Sequence, residues 1–134
     1  MSETNVEIVK SLFAAWKDRN PQAALKHIDP DIEVDFTGMA SGVGGARPVA
    51  SGREELQGVL ADWFEAWESL EWFPQNFIDA GDNVIVWLRL EARGRKSGAA
   101  VESNQAVVYT LKDGLIVAFR GYDTLAAATS AAGI

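Results

Sequence analysis

The sequence predicts a single α+β domain in which helices are segregated from a set of antiparallel strands. The strongest local signal is Lys112-Asp113-Gly114, because an Asp-Gly pair between two strand-like runs is typical of a tight hairpin. Two Ser/Thr-x-x-Glu boxes, at Thr4 and Ser51, mark the starts of amphipathic helices. The long hairpin Val101–Tyr122 needs a cover on one face, which these helices can supply.

The composition is that of an ordinary globular chain of 134 residues, with 48% hydrophobic and 23% charged residues. Cysteine is absent, which excludes disulfides, a thiolate nucleophile and a cysteine-ligated metal. The net charge of −7 repels phosphate backbones, so we expect no nucleic-acid partner. No apolar run reaches the ~20 residues that span a bilayer. The N-terminus lacks a secretory pattern, so we expect a cytoplasmic protein without membrane contact.

The first part of the chain predicts two helices. Apolar residues from Val6 to Trp16 recur at three and four residues, which is the spacing of one buried stripe. This helix is expected to start in the box Thr4–Glu7 and to stop before Asn20-Pro21. The proline suits the first turn of a short second helix, which includes Ile28 and ends at Asp29-Pro30-Asp31.

A short strand and the longest helix follow. Ile32–Phe36 alternates apolar and acidic residues, as a half-buried strand does. The four glycines of Thr37–Ala50 favour a mobile loop at the rim of the domain. The box Ser51–Glu54 predicts a helix start, and an apolar stripe continues from Leu56 to Leu70.

The remaining chain predicts strands. After Pro74, the segments Gln75–Asp79 and Asn83–Arg93 flank a Gly-Asp turn, and the long hairpin comes next. A short alanine-rich helix, capped by Asp123 or Thr124, is expected to close the chain. The order is therefore helix, helix, strand, helix and four strands, without an internal repeat or a linker.

Four segments together resemble a known family: DPDIEVDF, SGREEL, FIDAGDNVIVWLRL and YTLKDGLIVAFRGYD. They resemble the SnoaL-like branch of the nuclear-transport-factor-like, or cystatin-like, α+β barrels. The resemblance covers residues 1–134 as one domain. It implies a cone-shaped curved antiparallel sheet wrapped around a long helix, an apolar pocket and a homodimer through the sheet. Polyketide cyclases, ketosteroid isomerase, limonene epoxide hydrolase and non-enzymatic binding modules share this fold, so the fold does not give the function.

Asp35 is the candidate catalytic residue, because it resembles the general base of ketosteroid isomerase at the end of the same short strand. In an apolar cone its pKa would rise toward working pH. The alternative is that Asp35 faces solvent or caps the glycine-rich loop. Leu12 and Val107 stand near the positions of the isomerase's tyrosine and protonated aspartate, which form its oxyanion hole. Leucine and valine cannot donate these hydrogen bonds, so we do not expect steroid isomerisation.

Arg89, Glu91 and His27 are further candidates for a functional role. Arg89 and Glu91 resemble the arginine and first acid of the epoxide hydrolase triad, but Gly121 replaces the second acid. The alternative is a solvated strip or a dimer rim. His27 is the only histidine and is expected at the surface. The polyketide cyclases of this family rely on a histidine and an aspartate in the last two strands, and the lack of a histidine there argues against the same mechanism. No ligand spacing indicates a metal, and we expect no cofactor.

The expected pocket lining combines tryptophans on inward stripes with one face of the hairpin's first arm. That face is the more apolar of the two, since the opposite parity would turn Glu102 and Asn104 inward. Gln105 and Tyr109 are the polar groups able to orient a carbonyl or a hydroxyl. The predicted ligand-binding residues are Leu12, Trp16, Trp63, Trp67, Gln105, Val107 and Tyr109.

Three hypotheses for the function follow. The first is a cofactor-independent isomerase, cyclase or hydrolase that acts on a small apolar carbonyl or polycyclic substrate, with Asp35 as general base. The second is a non-catalytic module that binds a small apolar molecule in the same cone. The third is a dimerisation module without a ligand.

Overall fold

The computed structural model describes residues 2–18, 20–38 and 49–134. Its elements in chain order are α1 (Ser2–Lys17), α2 (Pro21–Leu25), β1 (Ile28–Gly38), β2 (Val49–Ser51), α3 (Gly52–Ala66), β3 (Trp67–Ala80), β4 (Asn83–Gly94), β5 (Ala100–Lys112), β6 (Leu115–Tyr122) and α4 (Leu125–Ala131). Within the described ranges, six strands form one curved sheet in the order β2-β1-β6-β5-β4-β3. The predicted α+β class is confirmed, but the sheet is mixed, because β1 runs parallel to β6.

The inner face of the sheet packs against α1 and α3. Alternate residues of β4 point to this side, and Val84, Val86, Leu88 and Leu90 are at most 1% exposed. They join a core that includes Leu12 of α1 and apolar residues of α3. Burial of apolar surface contributes about 25 cal/mol per Å², so this interface stabilises the fold.

The outer face carries a second, smaller core. Ile85, Ala106 and Val108 are fully buried there beneath Ala128 of α4. Thr124 caps α4 by accepting a hydrogen bond from the Ala127 N–H at 3.1 Å, which confirms one of the two predicted caps. Because both faces are covered, β5 is buried without interruption over residues 105–109.

The hairpin at Asp113-Gly114 forms as predicted. Both residues have positive φ, 53° and 81°, as the twist of a two-residue hairpin turn requires. Lys112 pairs directly with Leu115 across the turn. The pairing aligns β5 with β6. The residues of β5 that face inward are therefore those that the sequence predicts.

The prediction that one helix continues to Leu70 is wrong, because α3 ends at Ala66 and Trp67 begins β3. Arg95, in the turn after β4, supplies the stop. Its Nε donates to the Glu65 carbonyl at 2.9 Å, and its backbone N–H bonds the Ala66 carbonyl at 3.3 Å. Carbonyls of the last helical turn are thereby satisfied by a residue about thirty positions away.

The start of β1 also differs from the prediction, because Ile28 belongs to the strand and not to the second helix. Asn20 caps α2 by accepting a hydrogen bond from the Ala23 N–H at 3.1 Å. Pairing with β6 extends the strand backwards: Ile28 is the partner of Ile116, whose N–H donates to the His27 carbonyl at 2.8 Å. Asp29-Pro30-Asp31 therefore lies inside β1.

Neither predicted capping box forms the contacts expected of it in the described residues. α1 already begins at Ser2, so Thr4 lies within its first turn. The Ser51 hydroxyl donates to Glu33 Oε2 at 2.7 Å, and the Ser51 N–H donates to Glu55 Oε1 at 3.1 Å. Ser51 is held in β2, which pairs with β1.

The predicted rim loop falls mostly on residues 39–48, which lie outside the described residues. Its flanks are strands, since Thr37 and Gly38 end β1 and Val49 begins β2. None of the helices in the described ranges has the length and apolar character needed to cross a bilayer.

Docking of α4 is tested by Ala128→Asp with Ala126→Asp as the matched control. Both changes cost similar helix propensity, but only Ala128 is buried against β4 and β5. We expect Ala128→Asp to lower the free energy of unfolding by about 2 kcal/mol, and Ala126→Asp to change it by less than about 0.5 kcal/mol. Urea unfolding measures both, and equal losses would contradict the described packing of α4.

Candidate ligand-binding site

An apolar hollow lies between the inner face of the sheet and helices α1 and α3. Its volume is about 70 Å³. α1 contributes Phe13 and Trp16, and α3 contributes Leu56 and Leu60. The sheet side is formed by inward residues of five strands, listed here as Phe36, Leu70, Trp72, Leu88, Leu90, Gln105, Val107, Tyr109 and Phe119.

One end of the hollow is a cluster of aromatic rings. Tyr109 packs edge to face against Phe119 and Phe13, with ring centroids 5.0 and 6.0 Å apart. Phe13 meets Phe77 in the same way at 5.9 Å. Edge-to-face pairs of this kind stabilise the packing by about 0.5–1.5 kcal/mol each, and they close this end of the hollow.

The other end carries side chains that remain partly accessible. Trp16, Phe36, Leu60 and Trp72 are half-buried, whereas Leu88, which also lines the hollow, is almost fully buried. These four residues form the mouth of the hollow. A molecule that enters it therefore passes between aromatic and aliphatic surfaces.

Two polar side chains of β5 face the hollow. Gln105 is 4% exposed, and its Nε2 is buried without a hydrogen-bond partner among the described residues. Tyr109 is also buried, and burial raises the pKa of its phenol well above the ordinary value. At neutral pH the hollow therefore offers an amide and a neutral phenol, both able to donate a hydrogen bond.

The structure brings together Trp16, Gln105, Val107 and Tyr109 of the predicted lining. It corrects the expectation for Leu12, which lies in the closed core because α1 presents Phe13 and Trp16 to the hollow. The binding role of the lining residues remains a prediction.

The expectation that Trp67 lines the apolar hollow is also corrected. It begins β3 and lines a separate surface hollow beside Arg95 and Lys96. The Trp63 side chain lies outside the described part of the structure.

Sequence reasoning missed several lining residues. Leu88 and Leu90 were on the inward parity of β4, and this alternation was the available signal. Trp72 was assigned to no strand, because the helical spacing of Trp67 and Leu70 concealed the start of β3. Phe36 shares the parity of the buried Val34.

Asp35 lies on the outer side of β1, between the inward-facing Val34 and Phe36, and is exposed. Its Oδ1 accepts hydrogen bonds from the Thr37 hydroxyl at 2.6 Å and from the Thr37 N–H at 2.9 Å. These bonds, in that order, hold the pKa of Asp35 below its ordinary value, and Arg120 acts in the same direction. Nothing in this arrangement supports Asp35 as a general base; it matches the alternative of a turn-capping aspartate.

Arg89 and Glu91 lie on the outer face of β4, opposite to Leu88 and Leu90. They form an ion pair of 2.9 Å with side chains 40% and 45% exposed. The Arg89 guanidinium also stacks 5.0 Å from the centre of the Phe73 ring. Neither residue reaches the hollow, so the placement agrees with the solvated strip or dimer rim.

His27 lies half-buried in the turn between α2 and β1. Among the described residues, no three histidine, aspartate or glutamate side chains converge as metal ligands would.

The geometry defines a class: an α+β domain whose curved sheet and helices enclose an apolar pocket. Its fold is shared by solved structures described as NTF2-like and cystatin-like. The SnoaL-like domain family matches residues 9–119, so the chain belongs to the SnoaL-like domain family. The comparison with curated proteins gave no match.

Solved structures share the fold over nearly the whole chain. A putative SnoaL-like polyketide cyclase from Jannaschia sp. CCS1 is 26% identical, with 98% of this chain and 94% of that chain covered and a TM-score of 0.75. An NTF2-like protein from Burkholderia thailandensis E264 is 27% identical, with coverages of 94% and 95% and a TM-score of 0.78. TerC, co-crystallised with polyporic acid, is 21% identical, with coverages of 98% and 99% and a TM-score of 0.79.

The capping role of Asp35 is tested by Thr37→Val with Thr37→Ser as control. Thr37→Val removes the hydroxyl donor, so the pKa of Asp35 should rise toward its ordinary value, whereas Thr37→Ser keeps the donor. Carbonyl-detected NMR titration measures both values. Because the pKa is lowered by folding, the stability due to Asp35 is present above about pH 4 and is lost as the pH falls further. An Asp35 that titrates above about pH 5 in the wild type would contradict this environment.

Proposed function

We propose that this SnoaL-like domain binds a small apolar molecule in the hollow between α1, α3 and the sheet. The observation that carries the proposal is an apolar pocket with an aromatic mouth, formed by Trp16, Phe36 and Trp72. Ligand pockets are lined mainly by hydrophobic and aromatic groups with few polar ones. This hollow has that character, with Gln105 and Tyr109 as its polar groups.

The size of the hollow restricts the ligand. An engineered apolar cavity of roughly 150 Å³ binds benzene, and this one has about 70 Å³. A single ring fits only if mouth side chains move, and a polycyclic ligand would extend through the mouth. Trp16 and Trp72 are half-buried, so part of each side chain is in contact with solvent. TerC, which shares this fold, was co-crystallised with a small organic molecule, polyporic acid.

A cofactor-independent isomerase, cyclase or hydrolase with Asp35 as general base is the second candidate. The similarity to a putative polyketide cyclase favours it. The position of Asp35 outside the hollow, with a lowered pKa, weighs against it. A base must reach the proton that it removes, so we place the binding module first.

The sheet-mediated homodimer remains a prediction from the family resemblance. α4 covers part of the outer face, over Ile85, Ala106 and Val108. The strip with Phe73, Arg89 and Glu91 is not part of the cluster under α4, so this region is open to a partner subunit.

Binding in the hollow is tested by changing its volume at Val107, with acetophenone as the probe. We expect Val107→Phe to fill the space and abolish saturable binding, and Val107→Ala to retain binding or strengthen it by up to about tenfold. Ligand-observed NMR and tryptophan fluorescence measure affinity, and circular dichroism confirms folding. If Val107→Phe is folded and binds as the wild type does, the ligand site is elsewhere.

Proton abstraction is tested without knowledge of the natural substrate. A base acting next to a carbonyl would accelerate exchange of the acetophenone methyl protons in D₂O, which proton NMR follows directly. We expect the wild type to exchange no faster than Asp35→Asn, since Asp35 does not face the hollow. Asp31→Asn, an exposed aspartate of the same strand, is the matched control. Acceleration by the wild type and by Asp31→Asn, but not by Asp35→Asn, would favour the enzyme.

A further inference from the structure

Gln105 is unusual among the residues around the hollow. It is 4% exposed, and it lies next to Leu88 in the sheet register, in a wall that is otherwise apolar at that point. Its Nε2 is buried without a hydrogen-bond partner in the described part of the chain. A leucine of similar size would fill the same place without a polar group.

An unpartnered buried amide destabilises the folded protein, because the group gives up its hydrogen bonds to water and gains none in return. Among the residues that the structure describes, none accepts a hydrogen bond from the Gln105 amide nitrogen. The orphaned donor points to a group that arrives with a ligand.

We propose that Gln105 selects the ligand: its Nε2 donates a hydrogen bond to a neutral acceptor, a carbonyl oxygen, on a ring-sized apolar molecule. This inference rests on the proposed binding function. An amide nitrogen can only donate, which makes the ligand atom an acceptor. A carboxylate would be desolvated in the hollow without a counter-charge, since no cationic side chain is among the described lining residues.

The strand register separates Gln105 from the other polar group. Trp72 pairs with Leu90, and Leu88 pairs with Gln105, so the amide lies near the mouth. Tyr109 pairs with Phe119 at the closed end. Four residues along a strand separate the two Cα atoms by about 13 Å, so the two side chains start from different ends of the hollow. The acceptor near the mouth is therefore bound by Gln105.

The test uses acetophenone and α-methylstyrene, which differ by one oxygen in place of a CH₂ group. Both are titrated against the wild type, Gln105→Leu and Asn104→Leu. Asn104 is the adjacent, exposed amide on the opposite face, so it controls for the chemical change. We expect Gln105→Leu to weaken acetophenone relative to α-methylstyrene by about three- to tenfold, and Asn104→Leu to leave the ratio unchanged. Gln105→Met provides the same comparison if the leucine variant does not fold.

Each outcome decides something different. A parallel change for both ligands in Gln105→Leu would overturn the inference and leave the proposed function intact. If the ratio of the acetophenone and α-methylstyrene affinities changes in Tyr109→Phe and not in Gln105→Leu, the acceptor binds at the closed end, and the inference about Gln105 is also overturned. Benzoate that binds as tightly as acetophenone would contradict a neutral ligand. Absence of binding for both probes to the folded wild type would refute the proposed function itself.

Discussion

The alternation of β4 and β5 between two covered faces is the constraint on which the structure depends. Inward residues such as Leu88 and Val107 pack toward α1 and α3, while Ile85 and Val108 pack under α4. A slip of one residue would exchange both sets, because side chains alternate with a period of two. The cost of that exchange fixes the register, and the register decides which polar groups enter the pocket.

Gln105 enters the pocket for this reason, and Arg89 and Glu91 do not. The same alternation places the amide beside Leu88 and turns the ion pair to the outer face. A charge inward would have to be desolvated, whereas an amide costs less and can be satisfied by a ligand. The pocket thus combines an apolar wall with one mouth-side donor, as the proposed binding function requires.

Asp35 illustrates how local bonding limits inference from a resemblance. The resemblance predicts a general base at this position, but the Thr37 hydroxyl and N–H both donate to the Asp35 carboxylate. Two bonds to the charged form favour ionisation at low pH, the opposite of what burial in an apolar cone would do. Members of one fold family differ in such details, and the site decides the chemistry.

The sequence by itself determined the features that depend on neighbours in the chain. The Asp113-Gly114 turn, the Thr124 cap and the inward parity of β5 follow from local geometry, and the parity placed Gln105 and Tyr109 correctly. Only the tertiary structure decided where α3 ends, because its stop signal is Arg95 on a distant turn.

Long-range contacts likewise decided the start of β1 and the membership of the pocket. Ile28 is a strand residue because Ile116 pairs with it, and Leu12 is excluded from the hollow because α1 is rotated to present Phe13. Periodicity identifies the buried side of an element but not the neighbour that covers it. Which buried residues border empty space is therefore a property of the packed structure.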